Sequence, residues 1–136
     1  MGVYFADTFF WIAMAHPRDA WHSRVVAWEN SHPGAQFVTT EEVLGEVLNW
    51  FAATGHAGRA VAGKLVRSVL TDSSVKVLPQ TTDHFANALK LYAARPDKEY
   101  SLTDCRSMIA LHELGISEVL TNDHHFTQEG FTILFF

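Results

Sequence analysis

Four acidic residues, Asp7, Glu46, Asp104 and Asp123, stand where strand-like runs give way to helical periodicity. Carboxylates are hard oxygen donors, and Mg2+ and Mn2+ prefer oxygen ligands while keeping several of their waters. A carboxylate cluster that no lysine or arginine neutralises is a site for such cations. Two ions ~4 Å apart can activate a water and stabilise the leaving oxygen in phosphodiester hydrolysis. That is the chemistry these residue types point to, provided the fold gathers them.

Each acid also has a structural explanation. Asp7 and Asp123 can serve as helix caps or turn formers. Asp104 closes Ser101-Leu102-Thr103-Asp104, a capping-box variant that favours a helix N-terminus electrostatically. Capping accounts for each position alone. It does not account for acids recurring at several strand ends on one face. Glu46 has to be chosen over two neighbours. Thr39-Thr40-Glu41-Glu42 reads as a capping box, so helix initiation explains Glu42. Glu46 borders an apolar stripe, about 60° from Val43 at ~100° per residue, so its carboxylate can reach inward from the rim of the core. Glu46 is preferred, with Glu42 in reserve.

The elements that must position these residues can be read from periodicity. Short apolar runs at Val3–Ala6, Gln36–Thr39, Val75–Leu78, Glu118–Thr121 and Phe131–Phe135 predict strands. Helical spacing predicts helices over Phe9–Ala15, Arg18–Asn30, Thr40–Ala53, Gly58–Leu70, Thr82–Ala94 and Leu102–Leu114. In the third of these, Val43, Leu44, Val47, Leu48 and Phe51 form one stripe. Gly55 is expected to end that helix, and Gly115 the sixth. Asn122–Glu129 reads as a turn with one helical turn. Strands separated by helices argue an α/β fold with a parallel sheet covered by helices. In such sheets ligands bind beyond the carboxyl ends of the strands, where Asp7 and Asp123 fall. The helix pair between the second and third strands is long for a crossover and suggests a helical arm.

Composition sets outer bounds. With 136 residues, 48% hydrophobic and 18% charged, the chain is a single domain, 1–136, with enough apolar mass for a core. Ten Phe and four Trp add to that mass. The lone Cys105 has no disulfide partner within the chain, which fits a reducing, cytoplasmic setting. The apolar N-terminal stretch lacks a basic segment and Asp7 interrupts it, so it reads as strand and helix rather than as a signal peptide. No apolar run is long enough to span a bilayer. A net charge of −5 argues against a broad basic surface for nucleic acid. It is compatible with a nuclease, because two divalent cations would cancel four clustered carboxylates.

Other polar residues carry weaker signals. His124–His125 beside Asp123 invites a transition-metal reading, but adjacent histidines seldom chelate together, and solvated turn residues are expected. Arg18, Lys98 and Arg106 are expected at the solvated surface. Trp11, Trp21, Trp28 and Trp50 fit packing better than base stacking. Cys105 is expected to be a buried filler.

Taken together, several segments resemble a known family. They are Ala6-Asp7-Thr8 after the first strand; Val38-Thr39-Thr40 leading to Glu46-Val47-Leu48-Asn49; Ser101-Leu102-Thr103-Asp104-Cys105; and Leu120-Thr121-Asn122-Asp123-His124-His125-Phe126 with Gly130-Phe131 behind it. The chain resembles PIN-domain ribonucleases, and at this length the VapC-type toxins of toxin–antitoxin pairs. The resemblance implies a parallel sheet of about five strands with helices on both faces. It implies cleavage of single-stranded or structured RNA that depends on one or two Mg2+ ions, or Mn2+. The acidic quartet maps onto Asp7, Glu46, Asp104 and Asp123 as catalytic and metal-binding residues, with Thr8, Thr121 and Asn122 in supporting positions. Asp7, Asp104 and Asp123 would hold the main ion, and Glu46 would complete that site or help with a second. A homodimer and a cognate antitoxin are the implied protein partners. Phe9 stands where many members carry a small polar residue and is expected to narrow the mouth of the site.

Competing enzyme classes fit less well. A haloacid-dehalogenase-type phosphatase needs an Asp where Phe9 stands. A receiver domain needs paired acids after its first strand, and only Asp7 is there. No glycine-rich phosphate loop is present. A DNA-directed nuclease shares the metal chemistry, but the negative charge disfavours grip on long duplexes. The remaining alternative is a non-catalytic PIN-like binding module in a regulatory complex.

Overall fold

A computed structural model describes residues 2–136. Five strands, β1 (Val3–Ala6), β2 (Gln36–Thr40), β3 (Val75–Leu78), β4 (Glu118–Leu120) and β5 (Thr132–Ile133), form one parallel sheet in the order β3-β2-β1-β4-β5. Every pairing is parallel, with Phe5 opposite Val38 on one side of β1 and opposite Val119 on the other.

The strand order dictates where the helices go. From β1 the chain moves outward to β2 and β3, then crosses back to β4 and β5. Because crossovers are right-handed, the two directions place their helices on opposite faces. The helices sort accordingly. The group α1 (Thr8–Ala15), α2 (His22–Asn30), α3 (Glu41–Phe51) and α4 (Gly55–Thr71) packs together, and so does the group α5 (Thr82–Ala94), α6 (Leu102–Leu114) and α7 (His124–Gln128). The reversal leaves a crevice beyond the carboxyl ends of β1 and β4, the usual ligand position in open α/β sheets.

The core follows the central strands. Phe5, Ala6, Val119 and Leu120 are fully buried, joined by Phe10, Val43, Val47, Met108, Leu111 and Phe126. Each large apolar side chain so buried contributes ~1.5–3 kcal/mol. The α3 stripe buries Val43, Leu44, Val47 and Phe51, but Leu48 lies 41% exposed on its margin. Three tryptophans pack as expected: Trp11 is buried, and Trp21 and Trp28 lie half-buried against the core. Trp50 is 47% exposed, with its ring edge against His16.

Several boundaries depart from the periodicity. α2 begins at His22 because Asp19 Oδ1 accepts from the Trp21 amide and holds the preceding residues in a turn. α3 ends at Phe51, and Gly55, at φ +88°, opens α4 instead of closing α3. Gly115 does close α6, in the left-handed conformation that glycine adopts without penalty. β5 is short, although Leu134 and Phe135 still donate to Val119 and Thr121. The α3–α4 pair is not a projecting arm, since α4 packs on α1, α3 and β3. No helix among the described residues is long and apolar enough to cross a membrane.

Candidate active site

Four elements converge on the crevice. Asp7 follows β1, Glu46 lies in the second turn of α3, Asp104 in the first turn of α6, and Asp123 precedes α7. Asp7 occupies the N-cap position of α1, yet its side chain makes no capping bond. Instead Thr121 Oγ1 donates to Asp7 Oδ2 at 2.9 Å. The Asp123 amide donates to the same Thr121 oxygen at 3.2 Å, so one hydroxyl joins the acids after β1 and β4. Beneath them Thr39 Oγ1 donates to the Ala6 carbonyl at 2.9 Å and accepts from Trp11 Nε1 at 3.3 Å, tying the end of β1 to β2 and α1.

Glu46 reaches inward, as its place beside the apolar stripe predicts. Thr8 Oγ1 donates to Glu46 Oε1 at 2.6 Å. Asp104 and Asp123 do cap their helices. Asp104 forms a reciprocal box with Ser101, and Asp123 Oδ1 accepts from the His125 amide. Capping orients these two carboxylates without exhausting their oxygens. Asn122 is half-buried between Thr121 and Asp123.

Burial drives the Asp7 pKa up to about 7, with the charges of Asp104 and Glu46 pushing in the same direction. The amide of Thr8 and the hydroxyl of Thr121 oppose that rise without cancelling it. Asp104 and Glu46 therefore each disfavour a charge on Asp7 across the crevice. No lysine or arginine compensates them: among the described residues, the cations in ion pairs bind Glu129, Asp97 and Glu42. A crowded set of hard oxygen donors, one of them buried and none paired with lysine or arginine, suits a divalent cation. Asp104, Asp123 and His125 also offer ligand atoms within 4.8 Å of one another.

Glu42 belongs to a different structure. Thr40 is the N-cap of α3 and accepts from the Val43 amide, so Glu42 is not in the box position. Its Oε2 accepts from Arg106 Nε at 3.1 Å. Arg106 is not a surface residue. It is 2% exposed and also reaches the Pro79 carbonyl and His84 Nδ1. Glu42 thus neither replaces nor assists Glu46 through any bond of this network.

The Phe9 ring packs on Trp21 at 5.4 Å and on Phe135 at 5.6 Å, and Phe135 in turn donates its amide to the Thr121 carbonyl. His125 is not a solvated turn residue, because its Nδ1 lies 3.0 Å from Asp104 Oδ2 and 3.4 Å from Asp123 Oδ1. His124 is exposed, as expected. Cys105 is buried, and burial pushes its thiol up to about 11, so it is inert.

Residues 4–131 match the family model for the PIN domain. The chain belongs to the PIN-domain family. Over 130 residues it is 29% identical to the 23S rRNA-specific endonuclease VapC20 of Mycobacterium tuberculosis, covering 93% of this chain and 94% of that one. The crystal structure of that VapC20, described as a sarcin-ricin loop cleaving toxin, superposes with a TM-score of 0.83 at 25% identity, covering 96% of each chain. FitAcB from Neisseria gonorrhoeae shares the fold at a TM-score of 0.62 and 17% identity, over 99% of this chain and 97% of that one. The five-stranded parallel sheet of this PIN domain is thus of the VapC kind.

Proposed function

We propose that this PIN domain is a divalent-metal-dependent endoribonuclease and the toxin of a toxin–antitoxin pair. The observation that carries the reading is the convergence of Asp7, Glu46, Asp104 and Asp123 from four separate elements, with no lysine or arginine among the described residues bonded to any of them. Similarity to an rRNA endonuclease over nearly the whole chain supports RNA as the substrate class. A structured rRNA loop is the first substrate to test, because the solved relative is described as cutting one.

Asp7, Asp104 and Asp123, with Glu46 completing the set, would hold Mg2+ or Mn2+, as one ion or two. Such a cation lowers the pKa of a bound water and offsets charge on the leaving oxygen. The protein's own contribution is placement. Thr121 fixes one oxygen of Asp7 and Thr8 fixes one oxygen of Glu46. Ser101 orients Asp104, and the α7 amide orients Asp123. The carboxylates are therefore aimed before substrate arrives, and little reorganisation is needed on binding. The scheme requires no histidine as general base.

Two protein partners belong to the same reading. A cognate antitoxin would hold the toxin inactive. A second copy of the chain would cover Phe85, Leu89 and Tyr92, spaced i, i+4, i+7 on α5 and each about half exposed, at 57%, 49% and 52%.

The test is cleavage of an rRNA-loop oligonucleotide and a mixed single-stranded RNA pool by antitoxin-free protein, with Mg2+, Mn2+ or EDTA. Metal-dependent cutting that Asp7→Asn abolishes supports the reading. Cutting that persists in EDTA, or in folded Asp7→Asn protein, overturns it.

A further inference from the structure

His125 lies against the acids in a way that capping does not require. The Asp123 cap already fixes the His125 backbone, since the His125 amide donates to Asp123 Oδ1 at 2.9 Å. The imidazole nevertheless turns back over that carboxylate, with Nδ1 3.0 Å from Asp104 Oδ2 and 3.4 Å from Asp123 Oδ1. A metal–donor distance of ~2.1 Å puts neighbouring octahedral donors ~3.0 Å apart. The imidazole nitrogen is thus spaced from each of the two carboxylate oxygens much as one ligand is from its neighbour on a coordination shell, and the three residues offer ligand atoms within 4.8 Å of one another.

The ring is also held from behind. Tyr100 packs on it, with centroids 5.5 Å apart, and the Tyr100 hydroxyl donates to Glu129 Oε1 at 3.0 Å. Arg95 grips both oxygens of Glu129, at 3.0 and 2.9 Å. Glu129 follows α7 and Arg95 follows α5, so two elements besides α6 fix where the imidazole sits. A merely solvated histidine needs no such support.

We propose that His125 is a nitrogen ligand of the divalent ion held by Asp104 and Asp123, so that the centre is a mixed nitrogen–oxygen site favouring Mn2+ over Mg2+. This rests on the metal-dependent reading above. Mg2+ is poorly served by imidazole, whereas first-row transition ions accept it more readily. The neutral ring has two tautomers: with its hydrogen on Nδ1 it donates to the carboxylates, and with its hydrogen on Nε2 the Nδ1 lone pair is free for the ion. Ligation draws on the second tautomer, with no net gain or loss of a proton.

The test uses full-length metal-free protein loaded with Mn2+ and read by electron spin-echo modulation from directly bound 14N. Wild type and His124→Ala should show imidazole nitrogen coupling, and folded His125→Ala should lose it. Calorimetric titration should show His125→Ala weakening Mn2+ about tenfold or more while changing Mg2+ much less. Mn2+ bound without nitrogen coupling in wild type would overturn this inference and leave the metal-dependent reading intact. Equal weakening of both ions would also overturn it, making His125 only a support for Asp104. Absence of any Mn2+ binding would overturn both.

Discussion

Asp7 is the most constrained of the four acids, since it alone is buried, at 7% exposure. Its pKa is raised from 3.8 to about 7, chiefly by burial. The folded protein therefore binds a proton that the unfolded chain has already released in that interval. Stability from this group is fully present below pH 3.8 and is lost as pH rises through about 7. In EDTA, Asp7→Asn should be more stable to urea than wild type at pH 8, on the order of a few kcal/mol. The gap should shrink as pH falls towards 5. Parallel curves for the two proteins would show that Asp7 ionises normally. The same substitution removes a ligand, so RNA cleavage should fall by ~100-fold or more, and Asp104→Asn should match it. Greater apo stability together with lost activity separates a site residue from a structural one.

At the scale of elements, buried Arg106 joins three parts of the fold. From α6 it bonds Glu42 on α3, the Pro79 carbonyl after β3, and His84 on α5. Glu42 Oε1 is buried without a hydrogen-bond partner, so this carboxylate depends on Arg106. Arg106→Met should destabilise by ~3–5 kcal/mol in urea titrations because it strands a buried charge. Arg106→Met with Glu42→Gln should recover much of that loss. If the double variant were no better than the single, Arg106 would act through packing alone. Neither residue bonds to the acidic quartet, so cleavage per folded molecule should hardly change.

At the scale of the molecule, the reversal of strand order between β1 and β4 is what creates the crevice. Residues 116 positions apart, Asp7 and Asp123, meet through one threonine only because β1 and β4 are neighbours. The apolar row on α5 lies on an outer surface, and the whole chain carries a charge of −5. Light scattering of purified protein should give the mass of two chains, and Leu89→Lys should reduce it to one with the fold retained. A wild-type monomer at micromolar concentration would remove the homodimer from the reading. RNA binding should depend only shallowly on salt, because few phosphates can be neutralised by so acidic a protein.

The alternation of strands and helices and the parallel sheet were legible in the residue order, and so was the position of four acids at element ends, because periodicity, caps and strand ends are local properties. The inward turn of Glu46 towards Thr8 was legible from its angle to the α3 stripe. Tertiary structure alone decided the partners. The burial of Arg106, the turn of His125 onto Asp104 and Phe9 packing on Phe135 each depend on a residue from another element. Periodicity reports which face of an element is apolar. It carries no information about which side chain waits on the element opposite.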